Sequence, residues 1–146
     1  MNYDNNRHNA HNEIDHIFQD LFPTRNMAER PEQAALCHRM LDAMVEGGIA
    51  LCDAGTGIGK TYAYLVAGTV YSRFRAACGL ERKPILVSTS SIALQTAARD
   101  EYLPLLSDVL TEDGMIVQPL RAVIRKGKSH YVCDERLERR LGQLDL

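Results

Sequence analysis

Apolar residues recur with a helical period in several parts of the chain. Ile14, Ile17, Phe18 and Leu21 stand at i, i+3, i+4 and i+7, which is the spacing of one helix face, and Pro23 ends the pattern. The same kind of spacing predicts helices over 30–46, 60–77, 92–101, 105–110 and 134–141. Gly47 and Gly48 are expected to stop the second of these helices, and Ser90 and Ser91 to cap the fourth.

Three short apolar runs, 48–52, 85–89 and 120–124, have the length of buried strands and no alternation of polar residues. The first precedes a glycine-rich turn and a helix, and the second follows that helix. Strand, loop, helix and strand in this order predict a right-handed crossover between parallel strands. The predicted fold class is therefore α/β, with a parallel sheet flanked by helices.

The two ends of the chain differ from this pattern. Residues 1–11 are rich in Asn and His and lack an apolar period, so we expect a disordered tail. The ordered domain is predicted over 12–125. Residues 126–146 form a turn and a charged helix, and seven basic residues lie between Arg121 and Arg140. Such a basic tail is typical either of a nucleic-acid contact or of a solvated helix face.

Composition limits the class of protein. With 146 residues, 45% of them hydrophobic and 25% charged, the chain has the size and balance of one globular domain. No apolar run approaches the ~18 residues of a membrane span, and the start does not have the pattern of a signal peptide. We therefore expect a cytoplasmic protein without a membrane partner. The four cysteines are widely spaced and favour reduced thiols over disulfides.

The glycine-rich turn carries the main candidate chemistry. It reads Asp53-Ala54-Gly55-Thr56-Gly57-Ile58-Gly59-Lys60-Thr61, which matches the pattern of a phosphate-binding P-loop with Ala54 in place of the first glycine. Glycines let backbone N–H groups approach phosphate oxygens closely. Lys60 would reach the β and γ phosphates, and the Thr61 hydroxyl would bind Mg²⁺. The loop predicts binding of a nucleotide with Mg²⁺.

Gln33 is a second candidate, in the first turn of the predicted helix 30–46. A glutamine amide offers a donor and an acceptor, which match the N6 and N7 edge of adenine. A solvated glutamine at the start of a helix has the same sequence context, so both interpretations stay open at this point.

Several stretches in this order resemble DinG-like or XPD-like superfamily 2 DNA helicases. The resemblance rests on Arg30-Pro31-Glu32-Gln33 (a Q-like motif), the P-loop (motif I) and Val87-Ser88-Thr89-Ser90-Ser91-Ile92-Ala93-Leu94-Gln95 (motif Ia). Asp100-Glu101-Tyr102-Leu103-Pro104-Leu105-Leu106 and Lys126-Gly127-Lys128-Ser129-His130-Tyr131-Val132-Cys133 follow at similar spacing. The resemblance covers about 28–140 and implies an amino-terminal fragment with part of a RecA-like ATP-binding domain.

The resemblance also implies roles for individual residues. Arg30 and Gln33 would contribute to nucleotide binding with the loop residues Ala54, Gly55, Thr56, Gly57, Ile58 and Gly59, while Lys60 and Thr61 would act in catalysis. Thr89 and Ser90 would contact the phosphate backbone of single-stranded DNA, at the end of a predicted strand. The implied activity is ATP-dependent unwinding of duplex DNA.

Cys133 stands where many members of this family place the first cysteine of an iron–sulfur cluster. By this resemblance 126–146 would begin a cluster-type insertion; as a basic helical tail, it would bind no cluster. A [4Fe–4S] cluster normally needs four thiolates, so we expect one only in a longer chain.

The sequence lacks a strand that ends in Asp-Glu, the carboxylates that a working NTPase needs for Mg²⁺ and water. Asp134-Glu135 follows a turn instead. We therefore expect this polypeptide alone to be inactive, with the remainder of a helicase or a larger nucleoprotein complex as its partner. Two alternatives remain open. One is an accessory subunit that binds nucleic acid or a protein, and the other is a small P-loop kinase that uses Arg73, Arg75 or Arg82.

Overall fold

The computed structural model describes residues 3–127 and 130–144, so Lys128 and Ser129 of the predicted basic turn lie outside the described residues. The described residues contain six α-helices in this order: α1 (Tyr3–His16), α2 (Pro31–Glu46), α3 (Lys60–Ala77), α4 (Ile92–Ala97), α5 (Leu103–Glu112) and α6 (Asp134–Leu144). A π-helical turn (Ile17–Leu21) and a 3-10 turn (Phe22–Arg25) follow α1. A second π-helical turn (Ala98–Tyr102) joins α4 to α5.

The core lies between α1, α2, α3 and α5. Its largest fully buried side chains come from α1 and the two turns after it, from α2 and α3, and from α5: Phe22, Ile14, Ile17, Leu41, Leu106, Leu110, Val66, Val70 and Cys37. The predicted face of Ile14, Ile17, Phe18 and Leu21 is buried, as expected. Helix α2 packs mainly on α3, and α1 packs on both.

Local signals predicted the boundaries of α2 and α3 correctly. Pro31 occupies the first turn of α2, where its missing N–H costs nothing, and Gly47 ends the helix with a left-handed φ of 68°. Helix α3 starts at Lys60 and ends at Ala77. Ser91 caps α4, because its side chain accepts a hydrogen bond of 3.2 Å from the Leu94 N–H.

The predicted parallel sheet is wrong for this structure. None of the described residues forms a strand, including those of 48–52, 85–89 and 120–124. Strands are stable only when their backbone groups are paired, and the described backbone hydrogen bonds do not join these three segments to one another. Their apolar side chains lie largely in solvent, with Leu51 96% and Leu86 93% exposed.

Helix α1 occupies most of the segment for which we predicted disorder. It starts at Tyr3, and its side chains contact α2 and α3. The Tyr3 ring packs edge-on against Phe74 with centroids 5.3 Å apart, and the Asn6 amide donates to the Ala77 carbonyl at 3.2 Å. Neither contact belongs to an apolar period, so the sequence pattern did not predict this part of the helix. Among the described helices, none is long and apolar enough to cross a membrane.

Candidate nucleotide-binding loop

The glycine-rich turn forms an irregular loop that leads directly into α3. Gly57 and Gly59 have φ values of 87° and 88°, in the left-handed region that favours glycine. Gly55 has an ordinary backbone, and a Cβ there would make only a normal 3.7 Å contact with Ile58. The strict need for glycine therefore lies at two of the three predicted positions.

Lys60 closes the loop on itself. Its ammonium donates to the carbonyl oxygens of Ala54 and Gly55 at 2.9 and 2.7 Å. The side chain is exposed, and its charge is held in place by two neutral oxygens. A phosphate oxygen would be a stronger partner, because its negative charge attracts the ammonium more strongly than a neutral carbonyl oxygen does. The loop thus holds a cation at the position where the motif requires one.

Two residues at the start of α2 brace the loop from one side. Arg30 donates to the Gly57 carbonyl at 2.5 Å, and the Gln33 amide donates to the Gly59 carbonyl at 2.6 Å. Gln33 is 4% exposed, so its amide is buried against the loop. A Cβ on Gly59 would lie 2.1 Å from the Gln33 amide nitrogen. Gly59 is therefore needed both for its backbone angle and for this close contact.

A cavity of about 830 Å³ opens beside the loop. Its polar wall includes Arg30, Gly57, Gly59, Lys60, Thr61 and Thr89, and its apolar wall includes Met40, Met44, Tyr64, Ile85 and Leu86. The volume is in the range of small-molecule sites, which are concave and mostly apolar with a few polar groups. The structure thus brings Arg30, part of the predicted phosphate-binding loop and Thr89 to one cavity.

The predicted DNA contacts lie on the segment before α4. The Thr89 hydroxyl accepts a hydrogen bond of 3.2 Å from the Ser91 N–H, and the Thr89 side chain is half-buried at the cavity wall. Ser90 is exposed. The two hydroxyls belong to a loop and not to the end of a strand. The predicted placement of the DNA contacts at the edge of a sheet is therefore wrong for this structure.

The cysteines do not form a cluster site. Cys37 is buried, Cys78 is half-buried, and Cys52 and Cys133 are exposed on different segments. The described part of the chain contains no group of three or more His, Cys, Asp or Glu side chains that could hold a metal ion. The residues present therefore do not fit a [4Fe–4S] cluster. Thr61, at the cavity beside Lys60, fits the role of a single hydroxyl ligand to Mg²⁺.

The reactivity of each cysteine thiol should decrease as its burial increases. Burial raises the pKa of the Cys37 thiol, and the nearby Asp15 charge adds to the effect, so the reactive thiolate is suppressed. We expect iodoacetamide to label Cys52 and Cys133 rapidly in the folded chain and Cys37 only after unfolding, as followed by peptide mass spectrometry. Rapid labelling of Cys37 under native conditions would contradict the packing of α2 against α1 and α3.

One isosteric change tests the hydrogen bond between the Gln33 amide and the Gly59 carbonyl. Gln33→Glu removes the donor and turns a carboxylate oxygen toward the Gly59 carbonyl, so we expect a loss of about 1–3 kcal/mol in the free energy of unfolding. Urea unfolding followed by circular dichroism measures it. Glu32→Gln, the reverse exchange at the exposed neighbouring position, is the matched control and should be nearly neutral. Equal effects of the two changes on the free energy of unfolding would contradict a stabilising hydrogen bond between Gln33 and Gly59.

The polar contacts between α1 and α2 escaped the sequence analysis. Arg7, His11 and Asp15 repeat every four residues, as do His38, Asp42 and Glu46. That spacing of charged and histidine residues was the available signal, because residues four apart share one helix face. Apolar periods alone do not reveal such contacts.

Comparison with curated proteins relates the sequence to DNA-processing enzymes. The chain is 37% identical over 110 residues to the ATP-dependent helicase DinG of Mycobacterium tuberculosis and 35% identical over 109 residues to the ATP-dependent DNA helicase YoaA of Escherichia coli. It is 31% identical over 117 residues to the 3'-5' exonuclease DinG of Bacillus subtilis. These matches cover 75–80% of this chain, which spans only 11–15% of the length of those relatives. No family model matches, and no solved structure matches significantly.

Proposed function

We propose that this chain, which belongs by sequence to the DinG-like helicases, is the ATP-binding part of an ATP-dependent DNA helicase. The whole activity would be unwinding of duplex DNA by movement along a single strand. The chain contributes the nucleotide loop to this activity, and the rest of a full-length protein contributes the remaining catalytic groups.

The loop 53–61 is the observation that carries the proposal. Its two left-handed glycines, the Lys60 ammonium and the Thr61 hydroxyl lie at one cavity, at the start of a helix of 18 residues. The N-terminus of a helix favours anions through its free N–H groups and its dipole. In the proposed complex Lys60 leaves the Ala54 and Gly55 carbonyls and binds the phosphates, and Thr61 binds Mg²⁺.

The remaining predicted residues take supporting roles in this proposal. Arg30 and Gln33 hold the loop carbonyls of Gly57 and Gly59, and Arg30 also lines the cavity beside the loop. Thr89 and Ser90 lie on the segment proposed to contact single-stranded DNA. Hydroxyl contacts of this kind hold the phosphate backbone without reading base sequence.

Hydrolysis by this polypeptide alone is expected to be negligible. The Asp134-Glu135 pair lies in the first turn of α6, and Glu135 pairs with Arg139 of the same helix at 2.8 Å. Acidic residues in that position stabilise the start of a helix. They do not supply the strand-end carboxylates that an NTPase uses for Mg²⁺ and the attacking water.

The positions and contacts of Arg73, Arg75 and Arg82 disfavour the kinase alternative. Arg73 donates to Glu13 through two nitrogens at 2.9 and 2.8 Å, and Arg75 donates to the Glu81 carbonyl. Neither lines the cavity beside the loop, and Arg82 lines a different cavity next to α1. The accessory-subunit alternative predicts binding of single-stranded DNA that does not depend on Lys60.

The test is a titration of the chain with a fluorescent ATP analogue in the presence of Mg²⁺, together with a turnover assay. We expect saturable binding that unlabelled ATP displaces, with negligible hydrolysis. Absence of binding, both here and in a longer version of the protein, would overturn the nucleotide assignment. Turnover of several ATP molecules per second by the 146-residue chain would contradict its proposed role as one part of the motor.

A further inference from the structure

Helices α1 and α2 face each other through a ladder of polar side chains. Arg7 contacts Asp42 and Glu46, at 2.6 and 2.7 Å, near the end of α2. One turn before Asp42 in α2, His38 contacts Asp15 at 2.9 Å. Asp15 lies two turns after Arg7 in α1. The two helices therefore run antiparallel, with one polar face of each turned toward the other.

Two histidines meet in the middle of this ladder. The Nδ1 atoms of His11 and His38 are 2.8 Å apart, a hydrogen-bond distance. The outer nitrogen of each ring faces a carboxylate: His11 Nε2 is 3.1 Å from Asp42, and His38 Nε2 is 2.9 Å from Asp15. We call these four residues, Asp15, His38, His11 and Asp42, the histidine clasp.

The hydrogen bonds fix the number of protons that the clasp can hold. A carboxylate only accepts, so each Nε2 must carry a proton to bond with it. One further proton between the two Nδ1 atoms completes a third bond. Two protons on the rings would leave one bond unmade, and four would set two N–H donors against each other. The complete set of bonds requires three protons, which is one positive charge for the two rings.

We propose that His11 and His38 share a single proton that fastens α1 to α2, and that this fastening weakens when the pair either loses that proton or gains another. The neighbouring charges support the shared positive charge. Asp15 and Asp42 face it directly, while Arg7 and Glu46 lie beyond Asp42. Burial alone would raise the pKa of Asp42, but hydrogen bonds from Arg7 and His11 lower it overall, so this carboxylate stays ionised.

The geometry fits a proton better than a metal ion. The ring centroids are 5.0 Å apart and the ring planes differ by 24°, so the two Nδ1 atoms point at each other nearly head-on. A zinc ion between two nitrogens in that arrangement would need about 4 Å between them, since each Zn–N bond is about 2.0–2.1 Å. The observed separation leaves room for hydrogen only.

Other charged groups on α1 lie outside the clasp. Glu13 pairs with Arg73 of α3, on a different face of α1. His16 contacts Asp20 and Asp113. The hydrogen bonds that His16 donates to Asp20 and to Asp113 raise the pKa of His16, so this histidine also makes folding depend on pH. A test of the clasp must therefore separate its pH dependence from that of His16.

A double-mutant cycle separates the two. The full chain, His11→Ala, His38→Ala and the double variant would be melted between pH 5 and pH 9, with helix content checked first by circular dichroism. His16 is present in all four proteins, so its contribution cancels. We expect each single change to lower the melting temperature by about 3–6 °C. The coupling is the difference between the effect of the double variant on the melting temperature and the sum of the two single effects. We expect it to be largest at an intermediate pH and to fall at lower and higher pH.

His8→Ala is the matched control, because it removes an exposed histidine from the same helix. It should leave the pH profile unchanged. Coupling that is absent at every pH, or that does not vary with pH, would overturn the proposal. So would an increase in melting temperature with zinc chloride that disappears in His11→Ala, because this would assign the pair to a metal.

Side-chain ¹⁵N NMR of the unmodified chain tests the proton directly. At the pH of maximal coupling, we expect both Nε2 atoms to be protonated and both Nδ1 signals to lie between the protonated and unprotonated positions. Two neutral rings, or two fully charged rings, at that pH would overturn the shared proton. This measurement needs no substitution, so it decides the proposal even if the alanine variants do not fold.

Discussion

Lys60→Ala is expected to weaken the binding of Mg-ATP by about 10- to 100-fold. The ammonium is the single charged donor of the loop, and a hydrogen bond to a charged group contributes about 1.5–3 kcal/mol. In the free protein the same ammonium bonds only to two backbone carbonyls that also have access to water. The loss should therefore fall on affinity more than on folding. Fluorescence titration with an ATP analogue, at constant Mg²⁺, measures the dissociation constant.

Lys83→Ala is the matched control for this experiment. Lys83 is an exposed lysine on the connection after α3 and does not line the cavity beside the loop. We expect its removal to change the dissociation constant less than twofold, since isolated surface charges contribute little. Comparable losses in both variants would mean that the nucleotide is held by general charge rather than by the loop.

Ile14→Ala is expected to reduce the free energy of unfolding by about 2–5 kcal/mol and the melting temperature by on the order of 10 °C. Ile14 is fully buried, where α1 packs against the core formed with α2 and α3. Removing three carbon atoms from that position leaves a cavity that the surrounding helices fill only in part. Chemical unfolding followed by circular dichroism gives the value.

Leu51→Ala provides the comparison for that loss. It removes the same number of carbon atoms from a side chain that is 96% exposed, so we expect a change within about 0.5 kcal/mol. If Ile14→Ala were equally mild, α1 would not be packed as described.

The parts of the fold that sequence predicted well depend on local physics. Helices α2 and α3 combine an apolar face with clear terminal signals, such as Pro31 at one start and Gly47 at one end. Their boundaries follow from residues close in sequence. The sheet was predicted from three separate apolar runs, and a sheet exists only if those runs pair. Pairing depends on residues far apart in sequence, so an apolar run such as 85–89 cannot specify it.

The candidate site divides in the same way. The loop, Lys60 and Thr61 follow from a contiguous motif, and the structure places them at one cavity. The contact of Gln33 with Gly59 joins residues 26 positions apart, and its close packing depends on how α2 meets α3. Residues 3–11 of α1 were not predicted as helix, because their partners are far away in sequence and many of their contacts are polar. A composition rich in Asn and His has no apolar period to reveal them.

The solvent-exposed segments around Leu51, Leu86 and Val123 have a practical consequence for handling the polypeptide. Extended chain with bare apolar side chains and free backbone groups is a template for intermolecular association. We expect the purified chain to precipitate as its concentration rises, and to stay in solution longer when Leu51 and Leu86 are replaced by lysine.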